Sequence, residues 1–307
     1  MECVNQREAF GKTLVELGKT NKNIVVLDAD LGGSTMGKMF ELEYPNRHFE
    51  VGIAEANMMS MAAGLATTGK IPFANSFAVF ATGRAFDQIR QTISIGRLNV
   101  KVVGSSAGLS DFGDGSTHQS VEDIAIMRAI PNMTVISPAD ANETITATKA
   151  IADYDGPVYL RINRCDYPNV TPADKPFEIG QPMVMKEGTD VVIFATGITV
   201  GMALEAAKAS ALSVKVVNVN TIKPLNDAKV IELSKDCKAV VTAEEHSIIG
   251  GLGGSIAEAL RGSGKRISFL GINDEFGVSA KNYPELLEHY GITAGNIKKI
   301  TEEAVKI

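Results

Sequence analysis

Short apolar runs rich in Val and Ile alternate along the chain with longer stretches whose apolar residues recur at helical spacing. A run that is apolar at every position has to be covered on both faces, as in a parallel sheet packed between helices. The alternation therefore predicts an α/β fold. In the first half, strands are predicted near 23–28, 48–52, 72–76, 100–104, 133–136 and 157–160, and helices near 9–17, 54–66, 83–94, 121–128 and 139–152. These elements are sufficient for one doubly wound domain.

A proline-containing segment interrupts the alternation. Residues 171–188 contain Pro172, Pro176 and Pro182 among charges of both signs and show no apolar period, which is typical of a linker. Further on, strands are predicted near 190–195, 213–219 and 239–243, and helices near 199–210, 226–234 and 252–261. A chain of 307 residues has room for two domains. We therefore predict two doubly wound domains with mainly parallel sheets, at 1–170 and 189–307, joined by the linker 171–188.

Charge and composition exclude several functional classes. The chain has 30 basic and 36 acidic residues, a net charge of −6, with no concentrated basic run, so nucleic-acid binding and polybasic membrane binding are not expected. No uncharged stretch reaches the roughly 18 apolar residues of a membrane-spanning helix, and the first residues lack the pattern of an export signal. We expect a cytoplasmic protein. Because Cys3, Cys165 and Cys237 are far apart, neither a disulfide framework nor a thiolate metal site is predicted.

The loops that follow parallel strands meet at one edge of the sheet, so their polar residues are candidates for chemistry. The first strand runs into Asp28-Ala29-Asp30-Leu31-Gly32-Gly33-Ser34-Thr35. Its two carboxylates and its hydroxyls could hold a ligand or a metal ion, or they could cap the next helix. The residues alone leave both interpretations open.

Glu55 is the single charged residue in the apolar stretch that follows the second strand. It falls in the first turn of the predicted helix, where the helix dipole favours a carboxylate. Because the run from Met58 to Leu65 carries no charge, we expect this helix to be buried on most sides. A carboxyl group removed from water favours its protonated form, so Glu55 is a candidate for proton exchange.

Two further segments carry candidate residues. Phe77 and Phe80 follow the third strand and could stack on a flat heterocycle or belong to the core. The loop after the fourth strand places His118 among small polar residues, where a histidine is unsuited to a core role. Gly113-Asp114-Gly115 with Asn142 imitates a motif that binds a diphosphate through a metal ion, but Glu143 follows Asn142, and no metal site is predicted in this chain.

Taken together, these segments resemble the C-terminal half of transketolases, which are thiamine-diphosphate enzymes. The resemblance covers essentially the whole chain and is carried by Asp28-Ala29-Asp30-Leu31, Val51-Gly52-Ile53-Ala54-Glu55, Ser76-Phe77 with Phe80, and Asp114-Gly115-Ser116-Thr117-His118-Gln119. It implies a pyrimidine-binding domain at 1–170 and a transketolase C-terminal domain at 189–307. Since Met1 falls where the pyrimidine-binding domain begins, it also implies one subunit of a split transketolase. The diphosphate and Mg²⁺ would then be held by a partner subunit.

The resemblance also implies roles for single residues. Glu55 would be the catalytic acid that bonds N1′ of the aminopyrimidine, and His118 would assist proton transfer at the substrate hydroxyls. The pyrimidine ring would be held by Phe77 and Phe80, with Leu31 keeping the cofactor bent and Asp30 beside it. Asp114 and His118 would contact substrate hydroxyls. The sugar phosphate would be bound by Arg7, Ser34 and Arg161.

The implied reaction is transfer of a two-carbon ketol unit from a ketose phosphate to an aldose phosphate, as in the pentose phosphate pathway. Two copies of this chain and two of the N-terminal subunit would form a heterotetramer (α2β2). The chain departs from the family pattern at Ala54, Ala56, Gly83 and Ser106. It is also similar to 1-deoxyxylulose-5-phosphate synthase around Arg84-Ala85-Phe86-Asp87-Gln88, and to the beta subunit of 2-oxo-acid dehydrogenases. The latter lacks the loop that carries His118, and a scaffold without catalysis is disfavoured because Glu55 and His118 are both present.

Overall fold

The computed structural model describes residues 3–306, so the outermost ends of the two predicted domains lie outside the described residues. In the first half, the elements are β1 (Cys3–Asn5), α1 (Gln6–Thr20), β2 (Ile24–Asp28), α2 (Gly32–Thr35), α3 (Gly37–Glu43), β3 (His48–Glu50), α4 (Glu55–Thr67), β4 (Ile71–Phe77), α5 (Phe86–Gln88), β5 (Lys101–Ser105), α6 (Asp123–Ala129), β6 (Thr134–Ile136), α7 (Ala141–Asp153), β7 (Val158–Arg161) and β8 (Asp166–Pro168). In the second half they are β9 (Met183–Lys186), β10 (Val191–Ala195), α8 (Thr199–Ala209), β11 (Val214–Asn218), β12 (Thr221–Lys223), α9 (Asp227–Ser234), β13 (Ala239–Ser247), α10 (Leu252–Ala259), β14 (Arg266–Ile272), α11 (Tyr283–His289) and α12 (Ala294–Ala304).

The first sheet has seven strands in the order β12-β6-β7-β5-β4-β2-β3. All neighbours are parallel except β12, which runs antiparallel to β6. The six strands predicted for the first domain are β2 to β7, and their ends lie within two residues of the prediction. The expected α/β fold is confirmed in this part of the chain.

The second sheet has five strands in the order β14-β13-β10-β11-β9. The central strand β10 shows why an uninterrupted apolar run predicts a sheet covered on both sides. Val191 and Ile193 pack into one core cluster, whereas Val192 and Phe194 pack into another on the opposite face. The mainly parallel arrangement predicted for the second domain is confirmed, and only β9 runs antiparallel, alongside β11.

Two strands correct the predicted division at 171–188. Strand β9 lies inside the segment expected to be a linker, and it pairs with β11 as an edge of the second sheet. Strand β12, which lies beyond that segment in the sequence, pairs with β6 of the first sheet. Both strands are short and lie at sheet edges, so neither has the long apolar run that identifies a buried strand. The two halves therefore share backbone hydrogen bonds.

Helix α1 shows how the fold brings its first residues to the functional edge of the first sheet. The side chain of Asn5 caps the helix by accepting a hydrogen bond from the Arg7 N–H, and Phe10 and Leu14 are fully buried. Because α1 precedes the parallel strand β2, its N-terminus lies near the carboxyl end of that strand. Among residues 3–306, no helix has the length and apolar character needed to cross a membrane.

Candidate active site

A cleft of about 300 Å³ opens at the carboxyl edge of the first sheet. Four chain segments meet there: the loops after β2, β3 and β5, and the π-helical turn Phe80–Arg84 after β4. Five predicted residues line the cleft, namely Asp30, Leu31, Glu55, Phe80 and His118, together with Ala29, Ile53, Arg84 and Thr117. The structure therefore brings together residues that are separated by up to 88 positions in the sequence.

Glu55 lies at the first position of α4 and is only 3% exposed. Its two carboxylate oxygens lie 3.2 and 3.5 Å from Nη1 of Arg84, whose side chain is about half exposed. Arg84 was not predicted as a partner because it is 29 residues away in the sequence. Glu55 is thus a nearly buried acid at a helix N-terminus, and it faces one cation, the half-exposed guanidinium of Arg84.

Helix α4 is less buried than its sequence predicts. Met58, Met59, Ala62 and Ala63 are buried, but Ser60, Met61 and Gly64 are exposed. Ile53, immediately before the helix, is 71% exposed. An apolar helix thus presents one weakly polar face to the surface directly beside Glu55.

The rings of Phe80 and His118 line the cleft, whereas Phe77 is buried, packs against Phe80 and does not line it. Phe77 and Phe80 are nearly parallel, with ring centroids 6.0 Å apart and an interplanar angle of 13°. The His118 ring meets Phe80 edge-on at 5.2 Å, and its Nδ1 is hydrogen-bonded to the Thr117 hydroxyl at 2.9 Å, which leaves Nε2 available for a ligand. The Arg84 guanidinium lies 4.4 Å from the centre of the Phe80 ring.

The segment after β2 forms the opposite side. Asp30 adopts a left-handed backbone conformation, with φ of 60°, and its N–H donates to Glu50 Oε1 at 2.7 Å. This conformation is strained for a residue with a side chain, and it is held by the carboxylate at the end of β3. Leu31 follows directly and contributes an apolar side chain to the cleft.

A second group of predicted residues lies beside the Phe77 end of the aromatic pair. Arg7 donates through Nη1 to the Ser34 carbonyl at 2.7 Å and through Nη2 to the Arg164 carbonyl at 3.3 Å. Burial and the positive charge of Arg164 lower the pKa of Arg7. Two guanidinium groups in a half-buried place are well suited to bind a dianion.

Arg161 does not join this group, which corrects its predicted role as a phosphate ligand. Its Nε lies 2.7 Å from Asp123 Oδ2, and its Nη2 donates to the Glu245 carbonyl at 2.9 Å, so the side chain is held between the domains and is 5% exposed overall. Although burial acts the other way, the charges of Asp123 and Glu245 raise the pKa of Arg161. The guanidinium beside Arg7 is that of Arg164, three residues later, and local sequence context could not distinguish the two.

Asp114 is exposed, in the loop that carries His118, and besides burial its negative charge helps to raise the pKa of Asp111. Asp111 in turn pairs with Arg164 at 2.6 Å. Burial raises the pKa of Asp111, and Arg164 offsets part of this rise. Asp114 therefore lies near the two guanidinium groups rather than near Glu55.

The four positions that depart from the family pattern are not among the residues that line the cleft. A Cβ built on Gly83 would meet nothing within 4 Å, so the glycine is next to open space. Ser106 is fully buried and has a φ of 52°, which places its hydroxyl inside the protein instead of at the cleft. Ala54 and Ala56 flank Glu55 with half-buried methyl groups.

The donor set of the cleft fits a planar heterocycle better than a metal ion. A buried carboxyl group lies beside an aromatic face and an apolar side chain, so a ring nitrogen could be hydrogen-bonded while the ring is stacked. Over residues 3–306, no cluster of three or more His, Cys, Asp or Glu side chains could hold a metal.

Comparison with known families covers nearly the whole chain. The model of the transketolase pyrimidine-binding domain matches residues 3–170, and that of the transketolase C-terminal domain matches residues 180–297. Residues 171–179, at the beginning of the predicted linker, lie between the two matched segments.

The chain is similar to proteins of its own length. It is 50% identical to a putative transketolase C-terminal section of Methanocaldococcus jannaschii, over 98% of this chain and 96% of that protein. It is 40% identical to a 6-deoxy-6-sulfo-D-fructose transketolase subunit of a Clostridium species, over 98% of this chain and 94% of the relative. A solved structure described as a split gene transketolase, inactive beta4 tetramer, is 46% identical, covers 98% of both chains and superposes with a TM-score of 0.89.

Proposed function

The chain belongs to the transketolase family, and from that premise we propose that it is the C-terminal subunit of a two-polypeptide transketolase. Its reaction would transfer a two-carbon ketol unit between a ketose phosphate and an aldose phosphate with thiamine diphosphate. The observation that carries this proposal is the position of Glu55, nearly buried at a helix N-terminus beside an aromatic wall and the imidazole of His118. The names of the relatives, which include a C-terminal section and a subunit, support the division into two chains.

Thiamine diphosphate, when bound, supplies the nucleophilic carbon and the electron sink for breaking a carbon–carbon bond. Glu55 would hold a proton at the pyrimidine ring nitrogen, while Phe80 and Leu31 bind the ring and exclude water. His118 would move a proton at the substrate hydroxyl through Nε2. Each of these groups lines the same cleft.

The substrate anion would be bound beside the cleft by Arg7, Arg164 and the Ser34 segment. The bond from Arg7 to the Ser34 carbonyl fixes one guanidinium, and the ion pair of Arg164 with Asp111 fixes the other. A sulfonate and a phosphate are both anions that a guanidinium pair can bind. Since one relative is a sulfofructose transketolase subunit, sugar phosphates and a sulfonated sugar are both candidate substrates.

A partner is part of the proposal because relatives of this length are described as a C-terminal section and as a subunit of transketolases. We propose that the N-terminal subunit holds the diphosphate and Mg²⁺ and packs on the exposed face of α4, beside Glu55. Two copies of each chain would form the heterotetramer, in the cytoplasm. The exposed side chains of Ile53 and Met61 give that face the apolar character of a subunit contact.

The test is reconstitution with the polypeptide from the neighbouring reading frame, if that polypeptide carries Gly-Asp-Gly followed by paired Asn. We expect ketol transfer from xylulose 5-phosphate to ribose 5-phosphate only when both chains and thiamine diphosphate are present. Parallel assays with pyruvate and with 6-deoxy-6-sulfofructose distinguish the other candidate reactions. Full activity of the single chain would contradict the two-polypeptide arrangement.

Glu55→Gln is the variant that tests the site itself. It keeps the size of the side chain but removes the acid, so we expect turnover to fall by about 10²-fold or more while the thermal midpoint stays close to that of wild type. Glu285→Gln is the matched control, because Glu285 is also in the first turn of a helix, α11, but is exposed and does not line the cleft. Equal loss in both variants would argue against a catalytic Glu55.

A further inference from the structure

The loop that carries His118 is anchored by a residue of the second half of the chain. We define the His118 loop as residues 107–120. Its base closes where Gly108 pairs with Ser120, whose N–H donates to the Gly108 carbonyl at 3.0 Å. Next to this bridge, the Leu109 N–H donates to Glu245 Oε1 of β13 at 2.7 Å. His118 lies two residues before Ser120, so the position of the loop base determines the position of the His118 backbone and therefore of its imidazole.

Glu245 is itself held from both halves of the molecule. It is 3% exposed, and its Oε2 accepts a hydrogen bond from Asn163 Nδ2, just after β7, at 3.2 Å. The hydroxyl of Tyr283, at the start of α11, lies near the carboxyl group and accepts a hydrogen bond from the same Asn163 Nδ2 at 2.7 Å. The carboxyl group is thus a fixed point between the two sheets, with little freedom to move.

The tip of the same loop is also held by the second half. At the tip, Ala280 donates its N–H to the Phe112 carbonyl at 2.8 Å; from the base of the loop, Gln119 Nε2 donates to the Val278 carbonyl at 3.0 Å. Gly115 has a φ of 75°, and a Cβ there would lie 2.5 Å from Ser279 Oγ. The loop therefore lies between Glu245 at its base and the segment 278–280 at its tip.

We propose that Glu245 is a positioning residue for His118, so that the second domain holds the catalytic loop in its active geometry. This inference rests on the proposed function, because the proposed function is what gives the His118 loop a part in catalysis. Glu245 does not line the cleft and touches neither Glu55 nor Phe80. Its effect is transmitted through the backbone of Leu109, and small displacements of a catalytic group cost large factors in rate.

The neighbouring Glu244 provides a matched control. It is equally buried and lies on the same strand, but its carboxylate accepts from the Leu252 and Gly253 N–H groups at 2.7 and 2.8 Å. Glu244 therefore caps α10 and makes no bond to the His118 loop. Loss of either carboxylate leaves buried N–H groups without acceptors, so both losses should destabilise the fold similarly.

The experiment compares Glu245→Met, Glu245→Gln and Glu244→Met in the reconstituted two-chain enzyme. Methionine fills the space without accepting from Leu109, whereas glutamine retains an acceptor oxygen. We expect Glu245→Met to lower kcat about tenfold or more, with an unchanged apparent affinity for thiamine diphosphate. Glu245→Gln should restore most of kcat, and Glu244→Met should lower stability with kcat within about twofold of wild type.

Hydrogen exchange on the chain alone tests the anchor independently of any activity. The Leu109 amide should exchange faster in Glu245→Met and remain protected in Glu244→Met, in which the Leu252 amide should be the one that exchanges faster. Unchanged protection of Leu109, or equal loss of kcat in both methionine variants, would overturn the positioning role. If Glu245→Met does not fold, Tyr283→Phe takes its place. In that variant the Leu109 amide should exchange faster than in wild type, and kcat should fall about threefold. An inactive wild-type complex with a protected Leu109 would reject the proposed function but leave the anchor intact.

Discussion

Arg161 and Arg164 show how much the function of a residue depends on the direction of its side chain. Arg161 ends strand β7 and is enclosed with Asp123 between the domains, whereas Arg164, three residues later, reaches the surface beside Arg7 and Phe77. A buried pair of opposite charges contributes to stability chiefly because either partner alone would be a buried, unpaired charge. A half-exposed arginine can instead bind a mobile anion.

The first prediction separates these two arginines. Arg164→Ala should raise the KM for a sugar phosphate by about ten- to hundredfold, because it removes a charge-assisted hydrogen bond worth roughly 1.5–3 kcal/mol. Arg161→Ala should lower the free energy of unfolding by about 3–5 kcal/mol, because Asp123 is left buried and unpaired. Steady-state kinetics and urea unfolding measure the two effects. The reverse assignment would restore Arg161 as the phosphate ligand.

The second prediction concerns Gly108, at the base of the His118 loop. Its φ is 65°, and a Cβ would collide with the carboxyl group of Glu245. Gly108→Ala should therefore lower the free energy of unfolding by about 3 kcal/mol, through backbone strain and overpacking. Gly113→Ala is the control in the same loop, since a Cβ there meets nothing within 4 Å and should change stability by less than about 0.5 kcal/mol. Equal unfolding midpoints in urea would contradict this explanation.

At the scale of elements, the sequence predicts the buried strands and misses three of the four edge strands of the two large sheets, namely β9, β12 and β14. Strand β10 is buried at every position, and its apolar run identifies it. Strand β14 contains exposed, half-buried and buried residues, with Arg266 and Ser268 in its first half and Gly271 near its end, so no continuous apolar run marks it. Edge strands β9 and β12 are also hard to predict: β9 is half-buried at every position, and β12 has only three residues, of which Thr221 and Lys223 are polar.

The residues of the candidate site also divide into those that the sequence predicts and those that it misses. Glu55 and His118 could be predicted because each is out of place in its local sequence, as an acid in an apolar run and as an imidazole in a Gly-rich loop. Arg84 and Glu245 could not be predicted as partners, since their contacts span 29 and 136 residues. Local pattern identifies a chemically unusual residue, but only the fold determines what it touches.

The third prediction is a pH dependence that originates in strand β13. Burial raises the pKa of Glu244 and of Glu245 to about 7, with nearby N–H donors and Arg161 offsetting part of the rise. Because the pKa is higher in the folded state, the protonated carboxyl group contributes to the stability of the fold. This contribution is complete below the pKa of the group in the unfolded chain and is lost as pH rises through about 7. We therefore expect the free energy of unfolding of wild type, relative to Glu245→Gln, to fall between pH 5 and 8 by up to roughly 3 kcal/mol.

The comparison with the variant isolates this contribution from the others. Burial lowers the pKa of His246, which gives stability the opposite slope in the acidic part of the range. Since His246 is present in both proteins, its contribution cancels in the difference to first order. Urea unfolding at several pH values measures that difference. A constant difference from pH 5 to 8 would mean that Glu245 does not titrate in this range.

At the scale of the whole molecule, the two halves are joined by more than a linker. Strand β12 of the second half completes the first sheet, Arg161 donates to the Glu245 backbone, and Ser247 donates its N–H to the Val121 carbonyl at 2.7 Å. If one half unfolds, the other loses an edge strand and leaves buried polar groups unpaired. We therefore expect one calorimetric transition, with a calorimetric enthalpy equal to the van't Hoff enthalpy.

A chain of residues 1–170 should be markedly less stable than the same residues in the full protein, because it lacks β12 and every anchor of the His118 loop supplied by the second half. Two well-separated transitions in the full chain would show that the halves are independent, and an anchor such as Glu245 could then have little influence on the cleft.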